Sequence, residues 1–395
     1  MNNLYQSAIT RLKHLAHEQG FLASGIALDN YKRVWARDSV ICGLAGLLTN
    51  EEELIVALKD SLLSLAKHQN EWGCIPSNVP ADSMEKDVSY GSLVGRVDTT
   101  TWFIIGACLY YKKTGDQTTW ETLIPIIRNA RKYLNTIELN NKGWLYTPLS
   151  GNWADEYPIH GYTLYDNILR LWGERLWLEL CDKDTSDFEA ICEKTRLNFW
   201  PSAENQDHLY HLTAYQKVCE ETTEHFCSFV LPGKYDIRFD AAGNALALLF
   251  FRVSEKQKKA VSAYIDQLKL DISASLIPAF WPPVTPQSKD WSLLQHNYSY
   301  DFKNHPHHFH NGGIWPVWMG LFCLGLAHQG MQQQVDQIIK AFLPFTEKED
   351  WNFNEYITSD HLELAGKEDM GFTASGIVFM HHARQGVDFA KILGL

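Results

Sequence analysis

The sequence predicts an all-α protein, a closed ring of helical hairpins, on three observations. Helical spacing of apolar residues dominates the 395-residue chain, and strand-like alternation is scarce. No self-similarity at a fixed short period marks a solenoid. Two kinds of helix alternate: Thr100 to Tyr110 (TTWFIIGACLY) is apolar on nearly all sides, whereas Glu52 to His68 keeps a polar stripe, as inner and outer members of a ring would. The loops at one end of such a ring converge on one pocket.

In order, the spacing predicts helices over 3–18, 39–49, 52–69, 98–113, 118–136, 161–181, 185–199, 240–252, 255–268, 312–328, 331–344 and 371–384. The first has mixed charge, not the basic start and apolar block of a signal peptide, so secretion is not expected. The second opens at Val34-Trp35-Ala36-Arg37-Asp38-Ser39, where Asp38 is also a possible N-cap. The run Gly313 to Ala327 (GIWPVWMGLFCLGLA) is too short for a bilayer span and carries Pro316, which suits a helix's first turn; it reads as a buried helix with its leading loop. No Pro, Gly or Ser-rich stretch divides the chain, so one extended domain or two intimately packed ones are expected. The loops Trp72 to Arg96, Trp144 to His160, Ile277 to Asn311 and Asp350 to Gly371 are long and rich in Trp, Tyr, His, Asn and acids. Function concentrates in such loops.

A formal charge of −12 disfavours a nucleic-acid partner, which would need a basic stripe. An acidic cytoplasmic protein without membrane attachment is the expectation. The eight cysteines never fall at a C-x-x-C spacing and read as reduced core thiols. The histidines of Asn304 to His310 (NHPHHFH) lack the spacing of a helical zinc pair and have no acid or Cys at a customary distance, so no metal is expected. The absence of G-x-S-x-G, a P-loop and a G-x-G-x-x-G that opens a strand-helix unit leaves carboxylates and imidazoles to do the chemistry.

Cleaving a glycosidic bond needs one carboxylic acid to protonate the leaving oxygen and one carboxylate to activate water or attack the anomeric carbon. Two loops offer an acid hemmed in by aromatics: Trp153-Ala154-Asp155-Glu156, and Trp351-Asn352-Phe353-Asn354-Glu355-Tyr356. Partial desolvation would raise such a carboxyl toward neutrality. The competing reading makes Asp155 a helix cap and Glu355 a surface acid. Arg37 beside Asp38 could grip neighbouring sugar hydroxyls or form a structural ion pair. In His310-Asn311-Gly312-Gly313-Ile314-Trp315-Pro316, polar groups and glycines precede a buried helix, where a ligand can approach the main chain. Trp35, Trp102, Trp153 and Trp315 each adjoin a candidate polar group and could stack on a sugar, although most large aromatics are core.

At these same loops the chain resembles the neutral and alkaline invertase family of glycoside hydrolases and, more loosely, the glycogen-debranching and glucoamylase-type helical toroids. WARDS is similar to the family's R-D motif, GRVDTTTW (Gly95 to Trp102) to V-D-S-x-x-W-W, and IHGY (Ile159 to Tyr162) to I-Y-G-Y or I-H-G-H. RFDAAGNALAL (Arg238 to Leu248) is similar to R-F-x-x-x-G-N, HNGGIWP to H-N-G-G-S-W-P, and GKEDMGFTASGIVF (Gly366 to Phe379) to the closing G-K-x-x-x-x-x-T-x-S-I-A-G. The six matches run in order from about Trp35 to His382.

The resemblance implies one (α/α)6 barrel over residues 1–395 and hydrolysis with inversion, without a cofactor, of a small α-glucoside or sucrose-like sugar. It carries the catalytic acid onto Asp155 and the base onto Glu355. It also places Arg37 and Asp38 at positions that grip the glucosyl ring in related toroids; Asp98, Trp102, Glu156, His160, His310 and Asn311, beside Trp35, Trp153 and Trp315, are the further candidate substrate-binding residues. Departures fall at the substrate side. Asp155-Glu156-Tyr157-Pro158 replaces D-R-R-M with one residue fewer before the turn, which keeps Glu156 as an alternative acid; Tyr165, next to Asp166, replaces a family glutamate, and Phe353-Asn354-Glu355 replaces W-P-E. Two other functions compete: a sugar epimerase of the toroid type, working through His160, His310 and the 305–308 histidines, and a sugar-binding relative without turnover. The oligomeric state is not readable from the residues.

Overall fold

Apolar residues on every side of a helix require neighbours on every side, and six helices of this chain meet that requirement by standing together as an inner ring. The computed structural model describes residues 1–26, 31–82, 87–181, 185–205, 207–221, 224–386 and 388–395. The inner helices are Ala36–Thr49, Asp98–Thr114, Leu164–Cys181, Ala241–Phe250, Pro316–His328 and Gly371–Gln385. Every residue of Ala241–Phe250 is buried, as is every residue from Pro316 to Leu326. Each packs on the next in chain order, and Gly371–Gln385 returns to Ala36–Thr49, closing the circle. Where Pro316–His328 meets Gly371–Gln385 the backbones touch: a Cβ on Gly376 would collide with the Pro316 carbonyl, and one on Gly320 with the Gly376 carbonyl.

The alternating helices Asn2–Leu15, Glu52–Ala66, Gln117–Thr136, Ser186–Phe199, Glu255–Ile272 and Gln332–Phe342 bury one stripe each. In Gln332–Phe342 only Val335, Ile338, Ile339 and Phe342 are buried, at the three-and-four spacing of a single face. Glu255–Ile272 buries Val261, Ile265, Leu268 and Ile272, and begins with a reciprocal cap between Ser254 and Gln257. The (α/α)6 barrel follows, with all twelve expected helices in place. Among the described residues no helix is long and apolar enough to cross a membrane.

Boundaries differ from the sequence expectation where main-chain pairing intervenes. The expected 161–181 helix starts at Leu164 because Tyr162–Thr163 pairs with Phe229–Leu231, and 312–328 starts at Pro316 because Ile314 bridges to Ile357. Three further helices, Leu212–Cys219, Trp291–Gln295 and Phe389–Leu393, were not expected. Two residues suffice to join Ala36–Thr49 to Glu52–Ala66, and Asp98–Thr114 to Gln117–Thr136. The connections from an outer helix to the next inner one are long instead, and they carry the four expected loops; of the first loop, residues 83–86 lie outside the described residues. Short antiparallel ladders stiffen this end, including Arg33–Trp35 with Asn78–Pro80, Phe239–Asp240 with Phe280–Trp281, and Tyr356–Ile357 with Leu364–Ala365.

Candidate active site

All six inner helices begin at the end where the long loops gather, so their N-termini offer positive partial charge to acids there. Asp98 is the first residue of its helix, Asp38 and Asp166 lie in first turns, and Asp240 caps its helix by accepting the Gly243 N–H at 3.0 Å. Arg37 donates from Nη1 to Asp98 Oδ2 at 3.2 Å and stands 3.6 Å from Asp38 Oδ2, too far for a hydrogen bond but close enough for an ion pair. Burial works against the Arg37 charge, yet Asp98 and Asp38 more than offset it. Burial also pushes the Asp38 carboxyl up to about 6 despite Arg37. Among the described residues, buried Arg37 Nε, Asp38 Oδ2, Asp98 Oδ1, Asp166 Oδ1 and Asp240 Oδ2 have no hydrogen-bond partner. Such groups are costly unless water or a ligand completes them.

The Glu355 loop is tightly fixed. Glu355 is buried; its Oε1 accepts from the Tyr31 hydroxyl at 2.9 Å and its Oε2 from the Lys367 N–H at 3.1 Å. Its own N–H donates to the Lys367 carbonyl at 2.7 Å. Gly366, at φ +80°, makes room: a Cβ there would lie 2.5 Å from Glu355 Oε2. Burial raises the Glu355 carboxyl above its ordinary value, and the two hydrogen bonds and the Lys303 charge only partly counter this.

The Asp155 loop is more open. Asp155 is 30% exposed and accepts at Oδ2 from Arg96, itself 3% exposed, at 2.8 Å. Arg96 also donates to the carbonyls of Val94 at 2.8 Å and Ser150 at 2.6 Å, stitching this loop to the one before the helix Asp98–Thr114. Glu156 turns toward another loop: its Oε1 accepts the Ser299 N–H at 3.0 Å, and its carbonyl accepts from Asn304 Nδ2 at 2.8 Å. Burial raises its carboxyl, and the neighbouring Asp155 charge adds to the rise.

The two loops share one electrostatic neighbourhood. The Tyr31 phenol, bonded to Glu355, feels Asp155 and Asp38, and Asp155 also acts on Arg37, Asp38 and His310. Lys303, over the Phe309 ring at 5.4 Å, acts on both Glu156 and Glu355.

An aromatic wall accompanies these charges. Trp315 stacks between His310 (5.4 Å, 18°) and Tyr356 (5.9 Å, 18°), with its Nε1 donating to the Phe309 carbonyl at 3.0 Å. Trp153 lies parallel to Phe280 at 5.7 Å and edge-on to His310 at 5.1 Å, and its buried Nε1 has no hydrogen-bond partner among the described residues. Burial in this wall pushes His310 down to about 3, so its imidazole is neutral.

The other expected residues are placed differently. Trp102 is fully buried and donates to the Tyr165 hydroxyl at 2.8 Å, which in turn donates to Asp98 at 3.1 Å. Asn311 spends its amide on protein, bonding both the N–H and carbonyl of Val284 and the carbonyl of Asn304. Half-buried His160 leans on Phe229 and feels Asp290 and Asp236. Trp35 precedes the helix Ala36–Thr49 on its short ladder. Among the described residues no group of three or more His, Cys, Asp or Glu could hold a metal; His307 bonds Ser359 and His308 faces Asp360. Sequence reasoning missed Tyr31, Lys303 and the role of Arg96. Arg96 stands inside the GRVDTTTW motif, while nothing marks Tyr31, 324 positions from its partner.

The sequence profile of the family described as alkaline and neutral invertase matches residues 205–385, which include Glu355 but not Asp155. The chain is 22% identical to alkaline/neutral invertase C, mitochondrial, of Arabidopsis thaliana, over 86% of this chain but only 59% of that protein. It is 22% identical to cytosolic invertase 1 of Oryza sativa subsp. japonica, over 93% of this chain and 73% of that one. Among solved structures it is similar to a GH63 mannosylglycerate hydrolase from Thermus thermophilus (TM-score 0.65, 13% identity, 95% of this chain and 99% of that one). It is also similar to the Hormoconis resinae glucoamylase (TM-score 0.61, 12% identity, 97% and 73%). The resemblance to the invertases and the toroid fold are both borne out.

Proposed function

We propose that this chain, a glycosidase relative of the alkaline and neutral invertases, forms one catalytic domain over residues 1–395 that hydrolyses a small α-glucoside or sucrose-like sugar with inversion. Asp155 acts as general acid and Glu355 as general base. The observation that carries this reading is that two carboxylates from distant loops stand at the same end of the ring, Glu355 held by Tyr31 and the Lys367 N–H and Asp155 by Arg96.

In this reading the glycosyl ring lies over the inner-helix N-termini. Its hydroxyls take up the unpartnered oxygens of Asp38 and Asp98 and the unpartnered Nε of Arg37, while Trp153 and Trp315 offer ring faces to its C–H bonds. Asp155 gives its proton to the glycosidic oxygen as that bond breaks. Glu355, held by Tyr31 and the Lys367 N–H, takes a proton from a water that attacks the anomeric carbon from the opposite face. After this step Asp155 is ionised and Glu355 protonated, and proton exchange with solvent restores both. Glu156, bound to Ser299 and Asn304, shapes the field around Asp155.

The epimerase alternative loses support at His310, because an imidazole pushed down to about 3 is a poor base for a carbon-bound proton. Incubation with a panel of α-glucosides and sucrose, followed at once by proton NMR of the released sugar, tests the proposal. Release of the inverted anomer is expected. Release of the retained anomer removes the inverting mechanism, and deuterium uptake into a free sugar without hydrolysis would replace the reading with epimerisation.

A further inference from the structure

Asp166 is a buried acid for which the mechanism above has no use, yet its contacts lead to Asp155. Its Oδ2 accepts from three side chains: Thr147 Oγ1 at 2.7 Å, Thr163 Oγ1 at 2.6 Å and Asn152 Nδ2 at 3.0 Å. Thr147 and Asn152 flank the acid loop's approach, and Asn152 Oδ1 accepts the Ala154 N–H at 3.1 Å, one residue before Asp155. Asp166, Asn152, Thr147 and Thr163 are all fully buried. All three donors converge on that one oxygen, which the first turn of the helix Leu164–Cys181 holds in place. The other oxygen, Oδ1, has no partner and sits in the field of Asp98, while Asp166 acts on Asp240.

We infer that Asp166 is a positioning residue for the acid: through Asn152 it fixes the Asn152–Asp155 turn to the inner ring and so aims the carboxyl at the leaving oxygen. It does not touch substrate. Arg96 fixes the same loop from the other side at Ser150, so Asp155 is suspended between two buried anchors. This role rests on the proposed hydrolase reading only for its kinetic consequence; the mechanical link stands apart from it.

Asp166→Ala removes the acceptor of all three donors, and Asn152→Ala removes the link while leaving Asp166 with Thr147 and Thr163. In both variants amide exchange across 150–157 should speed up at least tenfold while that of the helix Leu164–Cys181 is unchanged; an unaltered loop would overturn the inference. Kinetically, turnover of an unactivated glycoside should fall about ten- to a hundredfold, and turnover of the corresponding glycosyl fluoride, whose leaving group needs little protonation, by less than threefold. Equal losses on both substrates would assign the residues to general structure instead. A wild-type protein that turns over neither substrate while the variants still loosen the loop would refute the hydrolase reading and leave the anchor standing.

Discussion

The two proposed catalytic loops are built in opposite ways. Glu355 is buried with both oxygens bonded, its main chain paired to Lys367 and a glycine cleared beside it. Asp155 is partly exposed, has one direct side-chain partner and depends on residues that anchor its loop rather than itself. A base must hold a water at a fixed angle before the bond breaks, and fixed donors provide that. An acid has to release a proton to a leaving group that then departs, which suits an open edge. The difference teaches that geometry is stored within the proposed base and around the proposed acid.

The sharpest way to break the comparison is to delete each carboxyl in turn. Glu355→Gln should lose about two to four orders of magnitude in kcat on every substrate. Asp155→Asn should match that loss on an unactivated glycoside and recover most of it on the glycosyl fluoride. If the fluoride separates neither variant, the roles are misassigned.

Gly366→Ala attacks the base alone. The positive φ and the oxygen 2.5 Å from the new methyl should cost about 1–3 kcal/mol in unfolding free energy and displace Glu355, with kcat falling at least tenfold and KM changing little. Urea unfolding beside steady-state kinetics would show both. Unchanged kcat would mean that the glycine serves only its turn.

Tyr31→Phe removes a hydrogen bond that favours the ionised base. Since that bond holds the Glu355 carboxyl below where burial alone would put it, its loss raises the carboxyl further. The acid limb of the kcat/KM profile, already above the ordinary glutamate range, should move to still higher pH, with about a tenfold loss of maximal rate. A shift to lower pH would contradict the assignment of that limb to Glu355.

The smallest effect on activity concerns the acids below the site. Burial pushes Asp166 and Asp240 up to about 7, with Asp98 adding to the first and Asp166 to the second. Their folded values exceed their ordinary ones, so their contribution to stability is full below about pH 4 and is lost as pH rises to 7. Asp240→Asn should therefore unfold with less pH dependence between pH 5 and 8, by on the order of 2 kcal/mol, in thermal scans at fixed salt. A variant that follows the wild-type curve would mean that Asp240 stays ionised throughout.

The ring was legible because its signal is local: an all-apolar helix such as Ala241–Phe250 and a one-sided one such as Gln332–Phe342 announce their layers without reference to anything else. The loops bearing Asp155 and Glu355 were legible from their aromatic and acidic density. What lay beyond reach was pairing across the ring. Tyr31 meets Glu355, and Ser299 and Asn304 meet Glu156, through loops whose paths are set by short ladders, and strands of two or three residues leave no periodic trace. Likewise Trp102 and Asn311 looked like sugar contacts from their neighbours in sequence. The fold instead gives their polar groups to Tyr165 and to Val284 and Asn304.

A crystal structure with a bound sugar would measure the separation of the Asp155 and Glu355 carboxyls across the anomeric carbon. The account predicts about 6.5–9.5 Å with an ordered water on the Glu355 side. A separation near 5 Å, or a sugar that leaves either carboxyl outside its reach, would contradict it.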